Sequence, residues 1–377
     1  MPFLLYSRVK SAQLRVKSVQ IALKLSKWHD FGTSICDARE VFVNLWPTFS
    51  NHHMTALEDI RLSLKSDLAR LDSLIGQTLD SSNPMMNRVV ANYLRHKGKQ
   101  LRPMLVMLTA KLFGEVTDNV ITAAASVEIL HNASLIHDDV VDDSDCRHGH
   151  ETINAMWDNH VAVLVGDFFV SNALKLATRT GDLRVIRAIA DLGELLSLGE
   201  MDQIYNARYH ELDEESYYKV ISHKTASLFV SCVSMGAYCT GVDDWRLDAM
   251  RRFAELFGRC FQIKDDIFDY FNDRAIGKPT GNDLREGKVT LPLLYALGNT
   301  ESAERDSMYA LLTSDKALSE GDIERLLAFA RDNGGIEYAY ETMKRMRDEA
   351  SALLSSFDSP VVGKLMSLFD FVISREN

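Results

Sequence analysis

Over residues 336–357, apolar side chains fall at Ile336, Ala339, Tyr340, Met343, Met346, Ala350, Leu353 and Phe357, spaced mainly by three and four, and they stop short of Pro360. That spacing predicts a helix with one buried stripe. The segment from Ile121 to Ile136 is apolar on most sides, which predicts a central helix with little solvent exposure. Asn83-Pro84 and Arg102-Pro103 place prolines where a first helical turn tolerates them, and Gly334-Gly335 reads as a break between two helices. Residues 104–278 hold none of the chain's 7 prolines, which suits long helices better than turn-rich sheet. The chain is expected to be all-α.

Composition narrows the function classes. The 377 residues carry a formal net charge of −11, so there is no basic footprint for nucleic acid. No stretch approaches the roughly 18 uninterrupted apolar residues of a membrane span, and none is expected. The 5 cysteines (Cys36, Cys146, Cys232, Cys239, Cys260) form no C-x-x-C pair, which fits a reducing compartment and offers no zinc site. Residues 1–53 differ from the rest, with basic side chains at Arg8, Lys10, Arg15, Lys17, Lys24, Lys27 and Arg39 against Asp30, Asp37 and Glu40. A transit peptide or a lipid-surface helix shares that composition. The favoured reading is a basic extension, poorly ordered or loosely docked, ahead of a catalytic domain at 54–377.

Two acidic clusters carry the chemistry. The first, His137-Asp138-Asp139-Val140-Val141-Asp142-Asp143-Ser144-Asp145, follows the most apolar helix, and Asp138 and Asp142 stand one turn apart on the same face. Two like charges about 4 Å apart repel by roughly 4 kcal/mol at an effective dielectric near 20, and a helix C-terminus disfavours anions further. A hard divalent cation answers that repulsion, and magnesium binds through one or two carboxylates plus substrate phosphates. An EF-hand fails on spacing, because a loop starting at Asp143 puts His148 where its turn glycine belongs. The second cluster, Gln262-Ile263-Lys264-Asp265-Asp266-Ile267-Phe268-Asp269, repeats the D-D-x-x-D spacing at the end of another apolar run. One copy alone reads as a solvated acidic loop; two copies do not arise readily by chance.

Cations accompany the carboxylates. Gly98-Lys99-Gln100-Leu101-Arg102-Pro103 sets Lys99 and Arg102 at a helix start, where free backbone N–H groups welcome an anion. Lys224-Thr225 precedes an apolar run, and the loop from Gly277-Lys278 to Lys288 follows the second cluster. That loop lacks the P-loop order, and no G-x-G-x-x-G follows a strand, so nucleotide binding is unsupported.

Taken together, Gly98-Lys99-x-x-Arg102-Pro103, His131, Leu135-Ile136-His137-Asp138-Asp139-x-x-Asp142, Arg147, Lys224-Thr225, Phe261-Gln262-x-x-Asp265-Asp266-x-x-Asp269 and Gly277-Lys278 to Lys288 resemble the trans-isoprenyl diphosphate synthases, most closely the bacterial long-chain polyprenyl enzymes. The resemblance implies an isoprenoid-synthase helical bundle around a deep cavity. It implies a homodimer that uses isopentenyl diphosphate and an allylic diphosphate; the lack of an anchor segment suggests the cytoplasm, with the apolar product handed to a membrane surface. It implies Mg2+, three ions per site, held by Asp138, Asp139, Asp142, Asp265, Asp266 and Asp269. Lys99, Arg102 and His131 would bind isopentenyl diphosphate, and Arg147, Lys224, Thr225, Gln262, Lys278 and Lys288 the allylic diphosphate. The catalytic set would be the six aspartates with Lys224 and Lys278. The family usually has Arg-Arg-Gly where this chain has Arg147-His148-Gly149. The second arginine normally helps bind isopentenyl diphosphate, and His148 is fully charged only below its ordinary pKa near 6.5.

The same resemblance bears on product length. Family members that stop early carry a bulky aromatic close before the first cluster, where this chain has Ala133 and Ser134. A product longer than farnesyl is implied, with Leu130 and Val127 the next candidates for a floor. The rival readings are a class I terpene cyclase, which normally lacks the second D-D-x-x-D and the Lys99/Arg102 pair, and a non-catalytic regulatory subunit, which would be expected to lose site residues.

Overall fold

In the computed structural model, which describes residues 55–95, 98–147, 149–271, 280–314 and 316–375, the proline-poor stretch forms the long helices. The basic extension, His148, Gly277 and Lys278 lie outside the described residues. In chain order the elements are α1 (Ala56–Ser63), α2 (Lys65–Thr78), α3 (Pro84–Tyr93), α4 (Leu101–Phe113), α5 (Asp118–Val141), the hairpin β1 (Cys146–Arg147) and β2 (His150–Glu151), and α6 (Ile153–Met156). They continue as α7 (Asn159–Arg179), α8 (Leu183–Tyr209), α9 (Glu214–Ile221), a π-helical turn (Ser222–Ala226), α10 (Ser227–Tyr238) and α11 (Asp244–Phe268). The last are α12 (Asn282–Arg285), α13 (Leu291–Asn299), α14 (Ala303–Leu312), α15 (Glu320–Asp332), α16 (Gly335–Leu354) and α17 (Pro360–Ser374). Among the described residues the two-residue antiparallel hairpin is the whole of the sheet, so the protein is all-α.

The long helices start where short polar side chains can satisfy the free N–H groups. Thr117 accepts from Val120 N at the head of α5, Asp158 from Val161 N at α7, Asp182 from Arg184 N at α8 and Asp243 from Arg246 N at α11. Pro84 opens α3 behind the Asn83 cap, and Gly334 at φ 76° separates α15 from α16 as the glycine pair predicts.

Helix α5 is the central one, with Val120, Ala123, Ala124, Ala125, Val127, Ile129 and Ala133 fully buried. It packs most extensively on α7, while α10 packs on α4 and α11, and α16 lies along α11. The close α5–α7 approach depends on Gly166, where an added Cβ would sit 2.2 Å from His137 Nε2. In length and composition α7 could cross a membrane, yet it carries Asp167 and Lys175 and is the chief packing partner of α5, as a core helix of this bundle is. A second, smaller apolar cluster (Tyr270, Leu284, Leu293, Met308, Ile323, Leu326, Phe329) joins α13, α14 and α15. In the α16 stripe Ile336, Ala339, Met343 and Ala350 are buried as expected, but Tyr340 is exposed and its hydroxyl accepts from Lys264 Nζ at 3.2 Å.

Candidate active site

Glu128, His131, Leu135, Asp138 and Asp142 advance along α5 by three or four residues and so share one face. Asp138 and Asp139 lie in the last helical turn, and Asp142 is the C-cap, its N–H donating to Asp138 O at 2.8 Å. His137 meets Val163 O at 3.3 Å on α7, which fixes the rotation of this end of the helix. The hairpin brings Arg147 back over the cluster: its Nε donates to Asp139 Oδ1 at 2.7 Å, and Gly149 at φ 79° makes the turn. Burial pushes Asp138 up to about 6, with Glu200 and Asp142 adding to the rise and Lys224 and Arg147 opposing it.

Lys224 and Thr225 sit in the π-helical turn, an irregularity that aims side chains a regular helix would turn elsewhere. Two glycines admit it. A Cβ on Gly199 of α8 would lie 2.6 Å from Lys224 N, and one on Gly258 of α11 would lie 2.5 Å from Ala226 Cα. Arg259 Nε donates to Ser222 Oγ at 3.0 Å and anchors the turn from α11. The Lys224 ammonium pairs with Glu200 and donates to Gln203 Oε1 at 3.2 Å, both on α8.

The second cluster closes α11 as the first closes α5, with Asp269 the C-cap. Each carboxylate already has partners. Asp265 Oδ1 accepts from Arg375 Nη2 at 2.8 Å, while Asp266 accepts from Tyr217 Oη at 2.5 Å and Gln262 Nε2 at 2.8 Å. Thr225 Oγ1 donates to Gln262 Oε1 at 2.8 Å, so the π turn and the cluster form one network. Asp269 departs from a purely metal-binding expectation: its oxygens accept the N–H groups of Asn282 and Asp283, both at 2.9 Å, and cap α12. Burial drives Asp266 upward against the Tyr217 and Gln262 bonds, and drives Asp283 well up, with Asp266 and Asp269 adding to it. Lys288 pairs with Glu286; burial disfavours its charge, but Glu286, Asp142 and Asp283 together outweigh that and raise its pKa.

A second cationic group lies between α4 and the chain's end. Arg102 is half-buried, its guanidinium carbon 5.4 Å from the Phe229 ring centroid; burial lowers its pKa and the Glu128 charge opposes that. Lys99 Nζ is 5.3 Å from the Phe371 ring; burial and the Arg375 charge lower its pKa, and Asp265 opposes that. The Nε groups of Arg102 and Arg375 are buried with no hydrogen-bond partner among the described residues, as an anion pocket leaves its donors. Burial holds His131 well below the usual histidine range, reinforced by Arg102 and Arg147, so it is a neutral ring at pH 7.

Of the residues singled out from sequence, Asp138, Asp139, Asp142, Arg147, Lys224, Thr225, Gln262, Asp265, Asp266, Asp269 and Lys288 are connected through these pairs and fields, and Lys99, Arg102 and His131 adjoin them. Five further residues belong here: Glu200, Gln203, Tyr217, Asp283 and Arg375. Asp283 stood inside the loop already noted; Arg375 is a lone arginine far along the chain, which no local pattern marks. Among the described residues no three His, Cys, Asp or Glu side chains stand close enough to hold an ion by themselves. Magnesium does not need such a cage, because it binds through one or two carboxylates plus substrate phosphates, and the two aspartate clusters beside a group of cations fit an ion that arrives with its diphosphate. The carboxylates of Asp138 and Asp142 accept no bond from another side chain among the described residues, which makes them the readiest ligands.

Residues 83–329 match the polyprenyl synthetase family model. Octaprenyl diphosphate synthase of Haemophilus influenzae is 34% identical over 312 residues, covering 81% of this chain and 92% of that one. A decaprenyl diphosphate synthase from Rhodobacter capsulatus superposes with a TM-score of 0.79 at 33% identity, covering 85% of this chain and 99% of that one. A polyprenyl synthase from Caulobacter crescentus, complexed with calcium and isoprenyl diphosphate, superposes with a TM-score of 0.78 at 30% identity over 85% of this chain and 98% of that one.

Proposed function

This chain belongs to the polyprenyl synthetase family, and we propose from that premise how its site works as a long-chain trans-polyprenyl diphosphate synthase. It is a prenyltransferase, condensing isopentenyl diphosphate head-to-tail onto an allylic diphosphate. The observation that carries the residue roles is the arrangement of two D-D-x-x-D helix ends with Lys224 and Lys288 in their shared field, beside a separate pocket of Lys99, Arg102 and His131. One diphosphate belongs in each. A terpene cyclase or a regulatory subunit has no use for the second.

Lys224, Thr225, Gln262, Arg147 and Lys288, with Lys278, hold the allylic diphosphate. Magnesium, three ions per site on Asp138, Asp139, Asp142, Asp265, Asp266 and Asp269, supplies Lewis-acid stabilisation of the leaving diphosphate when bound. Lysine charges fixed by Glu200 and Glu286 meet the developing negative charge without reorganising, the term that dominates such catalysis. Lys99, Arg102 and the neutral His131 orient isopentenyl diphosphate so that its double bond attacks the allylic carbon as the C–O bond ionises. The released diphosphate, rather than a side chain, takes the proton. His148 stands where the family's second arginine helps bind isopentenyl diphosphate. The chain grows along α5 past Ser134 and Ala133 toward Leu130 and Val127.

Exposed apolar side chains on α7 and α8, among them Leu164 at 63% and Met201 at 62% exposure, support a homodimer through these helices. The free thiols of Cys146, Cys232, Cys239 and Cys260 support a cytoplasmic enzyme, with its product handed off at a membrane surface. The test is incubation of the purified chain with farnesyl diphosphate, labelled isopentenyl diphosphate and magnesium, with products dephosphorylated and sized. A ladder ending at one long polyprenol is expected; primer loss without incorporation of label would indicate a cyclase.

A further inference from the structure

A cavity of about 310 Å³ opens beside the diphosphate residues, and no residue of α5 lines it. It lies where the main core meets the smaller cluster of α13, α14 and α15. Its lining includes the polar Lys224, Thr225, Gln262 and Lys288. It also includes Leu212 before α9, Leu294 on α13, Leu311 and Leu312 at the end of α14, and Leu318 beyond it, with the polar His210, Ser314 and Lys316 beside them. Chain growth along Ser134 and Ala133 would not use these leucines. Its volume is at the low end for small-molecule pockets, which suits a short prenyl tail and excludes a long one.

We propose that this annex is a second, unproductive seat for a short allylic diphosphate, an inference that rests on the synthase reading of the same site. The diphosphate takes Lys224 and Lys288 in either pose. In the productive pose the tail runs along α5; in the other it turns into the leucines, and its reactive carbon faces away from the Lys99 and Arg102 pocket. The two poses exclude each other because they share their cations. Unproductive binding of that kind depresses kcat and KM by one factor and leaves kcat/KM unchanged.

Two variants fill or spoil the annex without touching the diphosphate residues: Leu312→Trp and, on a more open segment, Leu318→Asp. Initial rates of isopentenyl incorporation are measured against farnesyl diphosphate, with the products sized. Each variant is expected to raise kcat and KM together by about threefold at constant kcat/KM and constant product length. Unchanged kcat and KM, a fall in kcat/KM, or a shorter polyprenol would overturn the proposal, the last by making the annex part of the growth channel. A binding readout stands apart from turnover and from variant folding: wild-type protein is irradiated with a farnesyl diphosphate analogue carrying a terminal diazirine. Label in residues 309–318, removed by excess inorganic diphosphate, is expected, and label confined to α5 would refute the seat. A chain that labels at 309–318 yet condenses nothing would refute the synthase reading and leave the annex standing.

Discussion

Arg375, directly after the last helix, places its Nη2 2.8 Å from Asp265 Oδ1 while its guanidinium carbon lies 4.2 Å from the Phe261 ring centroid. The same side chain donates to Phe261 O at 2.9 Å and is only 9% exposed. The end of α17 is thereby tied to the second aspartate cluster and sets a third cation beside Lys99 and Arg102.

Removing that cation is expected to weaken isopentenyl diphosphate binding. Charge-assisted hydrogen bonds contribute about 1.5–3 kcal/mol, so Arg375→Ala should raise KM for isopentenyl diphosphate about tenfold or more. Arg375→Lys should recover part of this, because an ammonium neither stacks on Phe261 nor forks. Steady-state kinetics with isopentenyl diphosphate varied decides it, and an unchanged KM would remove Arg375 from the pocket.

Asp138 links stability to pH. Its folded-state value of about 6 lies above the ordinary 3.8, so the fold favours the protonated acid. The associated stability is fully present below 3.8 and is lost as pH rises through 6. Without metal or diphosphate, Asp138→Asn should therefore be more stable than wild type at pH 7.5, by at most about 3 kcal/mol. The gap should close as pH falls from 6 toward 4. Scanning calorimetry across that range measures it; a gap that widens on acidification would contradict the sign.

Gly199→Ala tests the π turn. Its new Cβ would meet Lys224 N at 2.6 Å, so the turn must shift and carry the ammonium with it. Misplacement of this kind should lower kcat by about tenfold to hundredfold. KM for isopentenyl diphosphate should hold, because Lys99, Arg102 and His131 are on other elements. Kinetics with each substrate varied separate the two, and a normal kcat would show that the turn tolerates the methyl.

Product length is tested at the cluster's lower face. Ser134 is one turn before Asp138 on the same face and only half-buried, its hydroxyl donating to His131 O at 2.9 Å, whereas Ala133 is fully buried. Ser134→Phe should shorten the polyprenol with little loss of stability. Ala133→Phe should do so at an overpacking cost of about 1–3 kcal/mol. Chromatography of the dephosphorylated products reads the outcome, and an unaltered length in Ser134→Phe would place the floor elsewhere.

Helix content, the central α5 and both aspartate clusters were legible in the sequence, because each depends on residues three or four apart and the helix repeat alone brings them together. The apolar stripe of α16 shows the limit: Tyr340 fits the spacing but is exposed, and its hydroxyl accepts from the buried Lys264 of α11, a partner on another helix. The structural use of Asp269 was not legible either, because the N–H groups it caps belong to Asn282 and Asp283, reached only after the chain turns back.

By itself the sequence determined that the chain is helical, which two helices end in aspartate clusters and most of the cations that accompany them, Arg375 excepted. Only the tertiary structure decided the partners: Arg147 for Asp139, Glu200 for Lys224, Tyr217 for Asp266 and Arg375 for Asp265. Local periodicity acts within a helix turn, whereas each of these pairs joins separate elements, and close packing at Gly166, Gly199 and Gly258 sets how near those elements come.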